Sequence, residues 1–486
     1  MAIDSLTTAE EKGSAASTPE FDLTWMSAWQ IRGLIGDRVI TPTEVMEHFL
    51  ARIEKLDPTL HAFYSIDVES ARAQAAEATR AVEAGEPLGP LHGIPTASID
   101  FSLVKGVPNP VWGIESPAFD DLPIERLRDA GAIFIGALNS YYWQAKDRPR
   151  NPWNLELDPG NSSRGSAVAV AAGMLPVAVG QDGYGSTRLP AAWSGVIGLQ
   201  PSRGLVPHVE YHKPTLNLNT TWGPLARDAR DAALLLQVMA GPDGRDIACR
   251  METPPDYSAY LNDGIDGVRI AWTDDYGYSK KFWMNESASI TAFARDAILG
   301  MAEHGALVEA TDEVWEHPIA AMNVLGEVFA SATYRPPWEE GHAEREAQND
   351  EEWGVSTAAE VILPDMPKWE EPYRMAVESR KRNWDAFARV FETHDVLIST
   401  TTPLPQQTLA EWGLMSRHYV MGGYSAHTAF HNHLGLPAAN VPIGLLDGLP
   451  VGVQVTAPAG REDLILRVVQ AIQDAHPITE RPAVAD

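Results

Sequence analysis

The sequence predicts an α/β protein built on a mostly buried sheet. Short apolar runs alternate with helix-patterned segments along the chain, and the runs are too continuous to be half-exposed strands. Thr41-Pro42-Thr43-Glu44 supplies a capping Thr, a Pro at the first helical position and a Glu at the third, and Val45, Phe49, Ile53 and Leu56 follow at helical spacing. A second, Ala-rich helix is expected from Val68 to Ala84, stopped by Gly85. Leu88 to Asp100 reads as a loop entering a short strand, Pro123 to Ala130 as a helix, and Ala132 to Ile135 as a buried strand. Ser166 to Gly173 is small and apolar, as a tightly packed helix requires, and Leu175 to Val179 reads as a buried strand ending at Gly180. The alternation continues with a helix at Asp228–Met239, a strand at Val268–Trp272, a helix at Ser287–Glu303 and a strand at Val396–Ser399.

A chain of 486 residues has enough length for a large core, and no repeat or low-complexity linker divides it. One domain is therefore expected over 22–480, with a flexible N-terminal tail over 1–21 and a short tail over 481–486. The N-terminus lacks the basic start and apolar core of a secretory signal, so a cytoplasmic location is expected. The acidic, polar stretch Glu339–Trp353 reads as an exposed helix or loop. A formal charge of −29 disfavours nucleic acid and anionic membrane surfaces as partners, since both need clustered Lys and Arg. The single cysteine, Cys249, excludes an internal disulfide and has no electropositive frame that would make it reactive.

The chemistry concentrates between Gly160 and Ser186. Gly160-Asn161-Ser162-Ser163-Arg164-Gly165-Ser166 precedes a helix, and Asp182-Gly183-Tyr184-Gly185-Ser186-Thr187-Arg188 follows a strand. A tight glycine turn after a strand can expose a serine hydroxyl and aim successive N–H groups at one point, which is what an oxyanion hole needs. Each motif taken alone is better read as a structural turn, with Ser capping a helix. His427 and His431 lie at i, i+4 spacing with His433 nearby, but no Glu or Asp motif completes a metal site, so packing roles and no metal are expected. No cofactor is expected. The aromatics Tyr141, Tyr142, Trp143 and Tyr184, with Arg164, are candidates for lining a pocket; core packing is the alternative.

Together these segments resemble the amidase-signature hydrolases from end to end. The resemblance is carried by Leu91 to Pro95, Arg150 to Asn154, Gly160 to Gly173, Gly180 to Ala191, Gly195 to Gly204, Gly223 to Arg227, Gly435 to Ala438 and Gly448 to Val455. It implies a large mixed β-sheet covered by helices on both faces. It also implies a Ser–cis-Ser–Lys mechanism on a small amide or related acyl compound, in which one serine attacks, a second relays the proton and a lysine is the base. Carried onto this chain, the nucleophile is Ser186 and the relay is Ser162. The oxyanion donors are the backbone N–H groups around Gly183, Tyr184, Gly185 and Ser186, and Asp182 and Arg188 brace the loop. A small-molecule substrate is implied, and a homodimer stays open.

This chain departs from that pattern at the site. The family carries lysine immediately before an aspartate in the segment after Gly-Ile-Pro; here Ile99 precedes Asp100. Tyr184 stands where the family has glycine, as do Asn161 and Arg164, and the Gly-Lys-Thr-Asn stretch appears as Gly136-Ala137-Leu138-Asn139. Lys105, Lys146 and His92 are the nearest alternative bases in sequence, and each would need local rearrangement or leaves an ordinary scaffold position. Asp100 and Asp182 read as acceptors of backbone N–H bonds. Two readings follow: a serine hydrolase with a non-standard proton acceptor, or a non-hydrolytic descendant that binds a ligand or partner or runs different chemistry in the same pocket.

Overall fold

The computed structural model describes residues 22–109, 114, 116–141, 147–209, 219–322, 324–325, 367–414 and 423–485. Tyr142, Trp143, Lys146 and the stretch Glu339–Trp353 lie outside them. The strands are β1 (Phe63–Ile66), β2 (Pro95–Ile99), β3 (Ile133–Leu138), β4 (Val177–Asp182), β5 (Ile197–Gln200), β6 (Thr221–Ala226), β7 (Arg269–Trp272), β8 (Leu307–Ala310), β9 (Val396–Thr400), β10 (Ala438–Leu446) and β11 (Leu449–Thr456). They form one mixed sheet in the order β1-β3-β2-β4-β6-β5-β10-β11-β9-β7-β8. Parallel blocks β3-β2-β4 and β9-β7-β8 flank an antiparallel centre.

Each face of the sheet buries a separate apolar layer. Along β4, Val177 and Val179 enter one cluster while Ala178 enters the other, as the two-residue period of a strand dictates. One layer is closed by α1 (Ala28–Gly36), by α7 (Ala229–Met239) and by the helix Glu462–Ala475. The other is closed by α2 (Pro42–Leu60), α3 (Val68–Ala84) and α5 (Arg164–Ala171). The short α4 (Leu122–Asp129), α6 (Arg188–Ser194) and α8 (Ser287–Gly300) connect strands of the sheet.

Local signals explain the helix ends. The Thr41 Oγ1 accepts from the Glu44 N–H at 3.1 Å while Glu44 Oε2 accepts from the Thr41 N–H at 2.8 Å, a reciprocal cap at the start of α2. Gly85 closes α3 at φ +73°, a left-handed position that glycine occupies without steric cost. The start of α1 is capped from a distance: Asp231 on α7 accepts the Ala28 and Trp29 N–H groups at 2.6 and 3.0 Å. The far C-terminus is anchored as well, with Ala485 buried and its carbonyl accepting Arg52 Nη2 at 2.8 Å. No helix among the described residues is long and apolar enough to cross a membrane.

Several boundaries differ from the sequence reading, among them the strand expected at Ala132–Ile135, which runs over Ile133–Leu138. The strand expected at Leu175–Val179 runs through Gly180 to Asp182, and its glycine is a packing requirement, since a Cβ there would lie 2.6 Å from Ser163 Oγ. The packed helix begins at Arg164 rather than Ser166. The helix expected to reach Glu303 ends at Gly300 and tightens into a 3-10 turn over Met301–His304.

Candidate functional site

Two loops meet at the ends of β4 and α5. The Gly183–Thr187 turn joins β4 to α6, and the Asp158–Ser163 loop leads into α5. They are joined by backbone: the Ser163 N–H donates to the Ser186 carbonyl at 3.1 Å. Ser163 Oγ also donates to the Gln181 carbonyl and accepts the Gln181 N–H, both at 3.2 Å. Ser162 and Ser186 are thereby held on adjacent segments, both half-buried, and the Asn161–Ser162 peptide bond is cis.

The turn bearing Ser186 is organised by a buried ion pair. Asp182 at the end of β4 and Arg188 at the start of α6 pair at 3.0 Å, with no exposed surface on either side chain. The Asp182 carboxylate also accepts the Gly185 N–H at 2.7 Å, the Thr187 N–H at 3.1 Å and Asn432 Nδ2 at 2.9 Å. Burial, the largest single influence, would raise this carboxyl, but Arg188 together with the hydrogen bonds from Asn432 and the Gly185 N–H holds it below the usual carboxylate range. One expected oxyanion donor is consequently occupied: the Gly185 N–H points into the Asp182 carboxylate. The other N–H groups of the turn are those of Gly183, Tyr184 and Ser186. Gly185 itself adopts φ +112°, and a Cβ there would fall 2.1 Å from Thr428 Oγ1, the hydroxyl that donates to the Tyr184 carbonyl at 2.6 Å.

The position expected to carry a base is apolar. Ile99 ends β2 with 1% exposure, inside the cluster that includes Val104, Val107, Phe134 and Val179. Among the described residues, no lysine or histidine nitrogen is hydrogen-bonded to Ser162. Lys105 is exposed, and its backbone N–H is held by Asp120 at 2.7 Å. His92 places Nε2 2.9 Å from the Ala78 carbonyl on α3.

The charges near Ser162 come from other residues. Arg164, expected at a pocket wall, is 3% exposed; Nε donates to the Gly160 carbonyl at 2.6 Å and Nη1 to the Ser140 carbonyl at 2.7 Å. Asp158 accepts the Gly160 N–H at 2.8 Å and pairs with Arg148 Nη2 at 2.6 Å. Burial lowers the Arg164 guanidinium to about 10, with Asp158 opposing that change. Asp100 accepts the Ser140 N–H at 3.0 Å through Oδ2, while its buried Oδ1 has no hydrogen-bond partner.

Burial drives the Asp100 carboxyl up to about 7, against the hydrogen bonds from Ser140 and the charge of Arg164. Between the unfolded value near 4 and 7, the folded protein holds a proton that the unfolded chain has released. The stabilising contribution is therefore complete at low pH and lost as pH rises through 7, at most about 1.4 kcal/mol per pH unit. Asp100→Asn is expected to match the wild type in urea stability at pH 4 and to exceed it at pH 8. Equal pH dependence of the two proteins would contradict this assignment.

The aromatic and histidine expectations resolve differently. Tyr184 packs against Ile319, Met322 and Ala429. Tyr141, at φ +56°, borders a cavity of about 970 Å³ with a mixed wall, in which Glu54, Asp57, Asp147 and Arg148 stand beside Ile53, Phe63 and Ile66. Tyr142 and Trp143 lie outside the described residues. His427, His431 and His433 are buried. The Thr400 carbonyl sits 2.9 Å from His427 Nδ1 and can only accept, which leaves Nε2 to accept from Ser279 Oγ at 2.7 Å. His431 Nε2 meets Thr456 Oγ1 at 2.8 Å, and burial lowers all three imidazoles. No cluster of three metal-ligating side chains occurs among the described residues. Cys249 is half-buried, and burial raises its thiol.

Comparison with known proteins places this geometry. The family model described as amidase matches residues 44–466. The acylamidase of Rhodococcus erythropolis is 30% identical over 489 residues, covering 95% of this chain and 98% of that protein. A glutamyl-tRNA(Gln) amidotransferase subunit from Pseudomonas syringae pv. syringae is 33% identical over 479 residues, covering 91% of this chain and 95% of that one. Among solved structures, a bacterial aryl acylamidase of the amidase-signature enzymes superposes with a TM-score of 0.78 at 26% identity, covering 95% of this chain and 98% of the other. A mixed sheet of this order, two serine-bearing loops joined beyond the end of β4 and matches of this extent have one reading: the chain belongs to the amidase family, with the amidase-signature fold.

Proposed function

We propose that this protein cleaves a small amide or a related acyl compound through Ser186, with Ser162 relaying the proton to an acceptor other than a strand-borne lysine. The observation that supports this most is the Ser163 N–H to Ser186 carbonyl bond, which keeps two half-exposed serines on adjoining loops. In this reading Ser186 Oγ adds to the amide carbon while its proton passes to Ser162. The C–N bond then breaks, the amine leaves with a proton, and water hydrolyses the ester formed on Ser186. The N–H groups of Gly183, Tyr184 and Ser186, which Asp182 does not hold, are the candidates to meet the developing oxyanion. The acylamidase relative supports an amide substrate, and the amidotransferase relative supports acyl transfer from an amide nitrogen.

A second reading, a descendant that binds without hydrolysing, is favoured by the burial of Ile99 in an apolar cluster. A serine hydroxyl without a nearby base is a weak nucleophile. Incubation with a fluorophosphonate followed by peptide mass analysis separates the two. The expected result is an adduct on Ser186 that Ser186→Ala abolishes, together with hydrolysis of small aryl or alkyl amides. An unlabelled Ser186 under prolonged exposure would establish the binding reading.

A further inference from the structure

We infer that Arg164 is the positioning residue for Ser162, locking both ends of the loop that carries it; this rests on the serine reading above. The loop is short and its first residue is fully committed. Gly160 sits at φ +101°, with Pro190 filling the space a Cβ would need. Its N–H is held by the Asp158 carboxylate at 2.8 Å and its carbonyl by Arg164 Nε at 2.6 Å. One peptide residue is thus gripped by an anion on one side and a cation on the other, two residues before Ser162. The cation comes from two residues after it.

The same guanidinium extends the grip beyond the loop. Its Nη1 donates to the Ser140 carbonyl at 2.7 Å, just past the end of β3, and Ser140 is in turn held by Asp100 at 3.0 Å. The loop is therefore referenced to the sheet through β3 and to α5 through Arg164 itself. Arg148 completes the arrangement by pairing with the second Asp158 oxygen at 2.6 Å, and both guanidiniums lie over the Tyr141 ring, at 5.3 and 5.8 Å. A planar fork spans two carbonyls in fixed directions. A lysine ammonium keeps the charge but not the two-directional geometry, which makes Arg164→Lys the discriminating change.

The test uses the full chain with Arg164→Lys and Arg164→Met, the former retaining a buried cation should the latter fail to fold. Hydrogen exchange of the peptide spanning 159–166 reads the loop, and the rate of Ser186 labelling by a fluorophosphonate reads its consequence. Arg164→Lys is expected to accelerate exchange of that peptide about tenfold with the rest of the molecule unchanged. It is also expected to slow labelling by about tenfold or more, as misplacement of a reacting group does. Unchanged exchange overturns the inference, and so does faster exchange with undiminished labelling, which would reduce Arg164 to a structural residue. A wild type that is never labelled overturns the serine reading instead, and the exchange result still decides whether Arg164 fixes the loop.

Discussion

Replacing Arg188 with methionine is expected to lower the unfolding free energy by about 3–5 kcal/mol, the cost of leaving one member of a buried ion pair without its partner. The guanidinium is fully buried and is the hub of a polar cluster rather than half of a simple pair. It donates to both Asp182 oxygens, to the Gln200 and Gln454 side-chain carbonyls and to Asn432 Oδ1, and it meets His431 Nδ1 at 3.0 Å. Methionine matches much of the stem but withdraws the donor that each of those acceptors uses. The pH dependence gives the cause its signature. Asp182 is held below its ordinary range in the folded protein, so its contribution is present above the unfolded value near 4 and is lost as pH falls. Without Arg188 the effect of burial prevails and the carboxyl rises. The deficit of the variant is therefore expected to be greatest near pH 7 and to shrink toward pH 4. Adding Asp182→Asn should recover part of the loss at pH 7, measured by urea denaturation. A pH-independent deficit, or no recovery in the double variant, would assign the loss to packing instead.

The same variant should also disturb the Ser186 turn, because Asp182 is what holds the Gly185 and Thr187 N–H groups. This coupling is only partly legible in the sequence. The spacing of Asp182, Ser186 and Arg188 within a glycine turn points to a braced loop, yet it does not show that the brace uses the Gly185 N–H and so removes one donor from the turn. Helix starts and stops are legible where the signal is local: the Thr41 and Glu44 side chains reciprocate within one turn, and Gly85 needs only its own φ. Gly180 misleads for the opposite reason. It reads as a strand terminator, whereas the strand continues and the glycine is demanded by Ser163 on another segment. The burial of Arg164 does leave a trace in the sequence. An arginine opening the run Gly165 to Ala172, a helix without a polar face, has no solvent side to occupy. Its partners Gly160, Ser140 and Asp158 are set by separate segments, which no spacing rule encodes.

Introducing lysine at Ile99 is expected to destabilise the protein by about 4 kcal/mol, the equivalent of a buried ammonium displaced about three units from its solution range. The position offers 1% exposure and an apolar cluster. The adjoining charges already include two cations, the buried Arg164 and the half-buried Arg148, against the buried Asp158 and an Asp100 carboxyl that burial raises to about 7. A third cation has one recourse. Asp100 follows Ile99 directly, keeps an unpartnered Oδ1 and is raised to about 7, so it can ionise against the new charge, but Arg164 competes there as a like charge that repels the ammonium. Arg164→Gly removes that competitor and returns a small residue to the loop. In a double-mutant cycle, Ile99→Lys with Arg164→Gly is expected to be more stable than the sum of the single variants by more than about 1 kcal/mol, the size of coupling between groups that share a partner. Strict additivity would mean that the side chains at 99 and 164 act independently. A favourable coupling would mean that the side chains at 99 and 164 share one arrangement of charge around Ser162.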